Sequence, residues 1–246
     1  PRASTVGGCT AHYAQLTMAA EDDDWREAVR VTGDERWNPV VMGRHLRSVL
    51  AWLPVEQVPP TILLRDRTLA RIVAAAAVEA GVPAPRPGHE IDLNSLRVAG
   101  LIPDPNDPAH IEPARDGLFL IPQSTKDGRR RGVREYVIDA VARLGDRLTV
   151  QTDALVERVM FDRTAGGVRA TGVVFRHGRY LYRASPRHSA STPWTGHQVA
   201  VSREVVLAGG AFNSPQLLML SGIGPADELR RHGLPVLLDL PAVGTT

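Results

Sequence analysis

The chain has 246 residues, and its 29 Lys+Arg against 27 Asp+Glu leave a formal net charge of +2. Its longest apolar run, Ile72 to Val78, has seven residues, far short of the roughly twenty a membrane-spanning helix needs. The single cysteine excludes an intramolecular disulfide framework and Cys-rich zinc sites. A near-neutral charge argues against a protein built to hold nucleic acid. What remains is a globular α/β protein of one or two domains.

Residue 1 is proline and the first methionine is Met18. No basic segment followed by an apolar stretch reads as a leader, and a cytoplasmic location is expected. The chain also stops just after a loop begins at Pro241. It is therefore expected to be an internal piece of a longer protein.

In chain order, Gly7-Gly8-Cys9-Thr10 leads into Ala11 to Ala20, whose helix formers predict a short helix. The acidic run Glu21 to Asp24 is expected to cap a helix over Trp25 to Arg30. Thr32-Gly33-Asp34 breaks it, and Trp37 to Leu53 carries a further helical pattern. Three prolines between Pro54 and Pro60 mark a connection. Asp66 is placed to cap a helix over Arg67 to Ala80, with Leu69, Ile72, Val73, Ala76 and Ala80 on one face and Gly81 closing it. Residues 82–116 have no clear period. Leu118 to Ile121 reads as a short buried strand and Arg134 to Leu144 as an amphipathic helix.

Strands are expected over Leu148 to Asp153, Val156 to Phe161 and Ala170 to Phe175, with a loop over Ser185 to Gly196 inside a hairpin. Arg203 to Ala208 reads as a buried strand entering Gly209-Gly210. A helix is expected from the Ser214 cap with Pro215 at its first position, Leu217, Leu218 and Leu220 facing the core and Ser221-Gly222 at its end. Val236 to Leu240 reads as a short strand.

No phosphate-binding loop, nucleophile elbow or zinc-helix motif is present, and the eight histidines lack metal-ligand spacing. Gly222-Ile223-Gly224-Pro225-Ala226-Asp227 starts like a dinucleotide fingerprint but follows a helix, where the fingerprint must follow a strand. The run Arg129-Arg130-Arg131 reads as a solvated surface cluster, with phosphate contact as the alternative. Paired glycines between a strand and a helix let a backbone approach a bound group closely. A tight connection with no ligand fits the same spacing.

The segment Gly210-Ala211-Phe212-Asn213-Ser214-Pro215-Gln216-Leu217-Leu218-Met219-Leu220-Ser221-Gly222-Ile223-Gly224 resembles, over all fifteen positions, the second motif of the glucose-methanol-choline oxidoreductases. Arg203 to Gly210 looks like that family's strand ending beside the flavin, and Asp239 to Gly244 like the loop that follows. Val6-Gly7-Gly8 is similar to the family's first motif, with Ser4 in place of its usual basic residue or asparagine. Tyr13 occupies a position usually held by asparagine near the flavin ring. His12 stands where some choline-oxidising relatives carry a histidine bonded covalently to flavin; a packing histidine is the alternative.

The resemblance implies a mixed α/β fold, a partial FAD-binding Rossmann-like domain with part of a substrate domain. Residues 1–45 and 126–246 would belong to the FAD-binding domain and 46–125 to the substrate domain. It implies FAD as cofactor, a small alcohol as substrate, hydride transfer to the flavin, and oxygen or a quinone as electron acceptor. The implied FAD contacts are Val6, Gly7, Gly8, Cys9, His12, Tyr13, Val156, Ala208, Gly209 and Gly210. No catalytic or metal-binding residue is assigned, because the family's fingerprint and active-site histidine lie outside this stretch. The isolated chain is expected to bind FAD weakly or not at all. A noncatalytic module of the same fold, without flavin, is the alternative.

Overall fold

Residues 11–20 form no α-helix. In the computed structural model, which describes residues 4–57, 66–79, 105–106, 119 and 121–245, they run on from a single 3-10 turn at Gly8–Ala11 with half-buried and exposed residues strictly alternating. Tertiary pairing overrides the local helix propensity, itself a weak preference. Thr17 N–H donates to Pro122 C=O (2.9 Å), Ser124 N–H donates to Gln15 C=O (2.8 Å), and Leu16 bridges antiparallel to Gln123.

The chain divides into two units, residues 1–149 and 150–246. In the first, α1 (Asp22–Thr32) starts three residues earlier than the sequence suggests. Glu21 N–H donates to Asp24 Oδ2 (2.9 Å), and three aspartates fill the first turn, where the helix dipole favours negative charge. Gly33 ends the helix at φ 68°. The Asn38 side chain accepts from Val41 N–H (2.9 Å) and Pro39 opens α2 (Pro39–Leu50). Asp66 caps α3 (Arg67–Glu79) as expected, accepting from Thr68 and Leu69 N–H at 2.9 and 3.0 Å. Its buried face differs: Ala77 is fully buried whereas Leu69, Ile72 and Ala76 are exposed. Nothing among the described residues covers the stripe they form. The expected ends of this helix, Ala80 and Gly81, lie outside the described residues, as does the segment 82–116 apart from residues 105–106.

Of the strand expected over 118–121, Leu118 and Leu120 lie outside the described residues. Ile121 is exposed, and pairing begins at β2 (Pro122–Gln123), antiparallel to β1 (Glu56–Gln57). Next comes a tight hairpin of β3 (Thr125–Lys126) and β4 (Arg129–Arg130). Asp127 and Gly128 turn it at φ 53° and 69°. Two left-handed residues give the turn whose twist matches a hairpin, and Asp-Gly is among its preferred sequences. α4 (Val133–Leu144) follows, with the Glu135 carboxylate accepting Gly132 N–H (2.8 Å).

The second unit is built on an antiparallel meander of β5 (Ala154–Thr164), β6 (Gly167–His177) and β7 (Thr195–Ala200). The loop between β6 and β7 contains the Ser/Pro/Thr-rich stretch as far as Trp194, as expected, but Thr195 and Gly196 already belong to β7. Residues 148–153 are irregular instead of a strand. So are residues 203–208, with Val206 76% exposed. No strand among the described residues lies alongside them, and an apolar run becomes a strand only when its N–H and C=O groups find partners.

α5 spans Gly210–Leu220 and starts before Ser214, so Pro215 lies inside it and not at its first position. Leu217 and Leu218 are half-buried, but Leu220 is exposed. Gly222 closes the helix at φ 86°, where an added Cβ would stand 2.7 Å from Pro235 O. Parallel β8 (Ile223–Gly224) and β9 (Leu238–Asp239) flank α6 (Ala226–Arg231), whose Leu229 is 1% exposed. Ser221 Oγ joins α5 to the meander, accepting Val159 N–H (2.9 Å) and donating to Leu217 C=O (2.5 Å). The fold is thus mixed α/β, as the sequence implies. Among the described residues no helix is long and apolar enough to cross a membrane.

Candidate functional site

Two glycine turns carry most of the residues the sequence singles out, one in each unit. In the first, Gly7 and Gly8 take φ 93° and 53°. Their roles separate. A Cβ on Gly7 would lie 2.9 Å from the backbone nitrogen of Arg134, so this glycine lets the start of α4 approach. A Cβ on Gly8 would meet nothing within 4 Å, so Gly8 borders open space.

The loop closes on itself. Gly8 N–H donates to Thr5 C=O (3.0 Å), Thr10 N–H to Gly7 C=O (3.1 Å) and Tyr13 N–H to Cys9 C=O (2.9 Å). The backbone donor of Gly8 is therefore engaged within the chain. Val6 is half-buried; the Cys9 and His12 side chains are exposed.

Residues outside the predicted flavin contacts hold this loop. The Tyr13 hydroxyl is 2.5 Å from the hydroxyl of Ser124, which is fully buried. Arg130 donates from Nη1 to Thr10 C=O (3.1 Å) and from Nη2 to Tyr13 C=O (2.8 Å). Val133 N–H donates to Thr10 Oγ1 (3.2 Å). The arginine run is thus not merely solvated: Arg130 reaches back to the glycine loop, and Arg131 pairs with Asp139 (2.8 Å).

Glu56 secures the hairpin that carries Arg130. Its carboxylate accepts from Thr125 Oγ1 (2.5 Å), Asp127 N–H (2.7 Å) and Gly128 N–H (3.2 Å). These hydrogen bonds, Thr125's first, hold the Glu56 carboxyl below its ordinary value of 4.5. The sequence signals for this support were the Asp127-Gly128 hairpin turn and the arginines after it.

In the second unit, Ala208, Gly209 and Gly210 are exposed, and Gly210 (φ 85°) has nothing within 4 Å of its missing Cβ. Ser214 Oγ accepts Gly209 N–H (3.0 Å), tying the turn to the helix it opens. Val156 stands on β5, paired with Phe175 and half-buried. A cavity of about 470 Å³ lies along β5 against residues 235–237, with Arg158, Met160, Leu220 and Ser221 in its wall; none of the predicted flavin contacts lines it.

The residues present suit a flavin. At Gly8 and at Gly210 left-handed glycines border open space, and Ala208 to Gly210 add no side chain larger than a methyl group. A backbone with that room beside it can approach a large planar group. Among the described residues no cluster of three or more His, Cys, Asp or Glu could hold a metal.

Comparison with known proteins gives the family. The family model described as GMC oxidoreductase matches residues 106–245. The chain is 38% identical over 159 residues to the mitochondrial choline dehydrogenase of Mus musculus, covering 64% of this chain and 23% of that protein. It is 36% identical over 169 residues to the oxygen-dependent choline dehydrogenase of Burkholderia thailandensis, covering 69% of this chain and 23% of the relative. Its fold is similar to the crystal structure of pyridoxine 4-oxidase from Mesorbium loti (TM-score 0.64, 22% identity, 98% of this chain and 41% of that one). The chain thus spans about a quarter of the length of these curated relatives.

Proposed function

Because the chain belongs to the GMC oxidoreductase family, we propose that it forms part of an FAD-dependent enzyme that oxidises an alcohol carbon to a carbonyl. The match across residues 106–245, which includes the whole Gly210–Gly224 motif, carries this reading. Choline-like alcohols lead the substrate candidates, since the relatives reported above include choline dehydrogenases. When bound, FAD supplies the hydride acceptor and this chain supplies part of its seat. The residues that would hold it are the loop Val6 to Tyr13 in the first unit and, in the second, Val156 and the turn Ala208 to Gly210, each taken from the family resemblance. The open space at Gly8 and at Gly210 supports this reading, because it would leave a cofactor room beside the backbone. No residue of this chain is assigned the proton of the substrate hydroxyl.

The test is anaerobic titration of the full-length protein, loaded with FAD, against choline, an aryl alcohol and a sugar. Bleaching of the flavin's visible band by one of them, with the matching aldehyde or ketone formed, is the expected result. A protein that takes up no FAD, or whose bound flavin stays oxidised with every alcohol, removes the reading. Gel filtration of residues 1–246 with FAD adds a second check: we expect the flavin to separate from this stretch alone.

A further inference from the structure

Loops rich in left-handed glycine have a large conformational entropy to lose on ordering, so the Gly7–Tyr13 loop needs something to fix its shape. Its own hydrogen bonds are short-range. Among the described residues, the long-range restraint on its carbonyls comes from one side chain, Arg130, the member of the arginine run that family membership leaves unexplained. Its two terminal nitrogens reach two carbonyls of the loop, Thr10 (3.1 Å) and Tyr13 (2.8 Å), and its guanidinium carbon stands 5.7 Å from the centroid of the Tyr13 ring. Ala11 and exposed His12 lie between the two tethered carbonyls, so the fork brackets the segment that presents the His12 side chain.

Arg130 is itself held in place. It ends the β3–β4 hairpin, paired with Thr125, whose hydroxyl donates to Glu56 while Glu56 also accepts from both turn amides. The guanidinium is planar with fixed donor directions, and lysine cannot reproduce that two-pronged reach.

We infer that Arg130 is the positioning residue of the flavin-facing loop, fixing the backbone of residues 10–13 so that His12 and Tyr13 are offered to FAD in one arrangement. This rests on the reading of that loop as a flavin contact. Arg130 touches no reacting atom in this scheme; it acts through the loop.

The test compares Arg130→Met, Arg130→Lys and the neighbouring Arg129→Met with wild type, in the full-length protein. FAD affinity is read by flavin fluorescence titration, and the visible circular dichroism of the bound flavin is read at saturating FAD. R130M is expected to weaken FAD binding about tenfold, the scale of one lost charge-assisted hydrogen bond, and to change the dichroism of the flavin that still binds. R130K, with the charge kept and the fork lost, is expected to fall between R130M and wild type, and R129M to match wild type in both. A purely structural role would lower the melting temperature and leave the dichroism of saturated protein unchanged. Where R130M does not fold, R130K decides by the same two readouts. Wild-type affinity and dichroism in the variants overturn the assignment of Arg130 while the flavin reading stands. Wild-type protein that binds no FAD removes the reading of the loop, and the inference with it.

Discussion

Around Gly209 and Gly210 the holding contact comes from Ser214, five residues along the chain. The loop from Gly7 to Tyr13 is instead tied to Ser124, Arg130 and Val133, which lie 111 to 123 positions away from the loop residues they bond. Both turns use left-handed glycine and both border open space. They differ in what a substitution can break: the first depends on the folding of its whole unit, the second on one turn of helix.

The largest expected effects come from the glycines with backbone against them. Gly7→Ala puts a methyl 2.9 Å from Arg134 N at φ 93°, and Gly222→Ala puts one 2.7 Å from Pro235 O at φ 86°. Each combines left-handed strain with overpacking and is expected to cost about 3 kcal/mol in urea unfolding. Tryptophan fluorescence separates the units, because Trp25, Trp37 and Trp52 report the first and Trp194 the second. A Gly7→Ala protein as stable as wild type would break the view that α4 rests on this glycine.

Next are the tethers. Tyr13→Phe and Ser124→Ala remove the two ends of one partly buried hydrogen bond. Each is expected to cost about 1.5 kcal/mol, and the double variant less than the sum, because the pair acts as one interaction. Ser214→Ala, its counterpart in the local turn, is expected to cost about 1 kcal/mol or less. Equal costs at Ser124 and Ser214 would erase the contrast between a distant and a local tether.

Gly8→Ala and Gly210→Ala sharpen the comparison from the ligand side. With nothing within 4 Å of either Cβ, only the left-handed backbone is strained, at about 1 kcal/mol each. FAD affinity is expected to fall by more than this strain accounts for, since the new methyl enters the space assigned to the cofactor. Titration of both variants alongside their unfolding curves checks the difference.

The smallest effect is the pH dependence at Glu56. Its carboxyl is held below 4.5 in the folded protein, so its contribution is complete above that value and is lost as pH falls through the lower, folded value. Wild type is therefore expected to lose hairpin protection in acid more steeply than Glu56→Gln, measured by amide exchange at Asp127 and Gly128.

How much could be read beforehand follows the same division. Asp66 as a cap, Gly33 as a stop, the α4 helix and the β5–β6 pair rest on neighbouring residues, and sequence exposes such signals directly. The fifteen-residue motif is likewise local. Residues 11–20 misled because their helix formers are outbid by pairing with residues 122–124, a partner no local window contains. Arg203 to Ala208 misled in the opposite sense: an apolar run reads as a strand, yet no strand among the described residues pairs with it. The support of the first glycine loop stayed hidden because Ser124, Arg130 and Glu56 are ordinary polar residues until the fold brings them to it.

The distance between the loop and its anchors also sets an order in time. A chain leaving the ribosome at about 5–20 residues per second releases Thr10 roughly 6–25 s before Val133. During that interval the glycine loop has neither its arginine fork nor its buried serine partner. The turn at Gly209–Gly210 meets Ser214 within about a second of emerging. Synthesis therefore delivers the second turn nearly finished and leaves the first open until α4 has been made, so a ribosome paused before residue 130 would hold a nascent chain whose first glycine loop has no fixed shape.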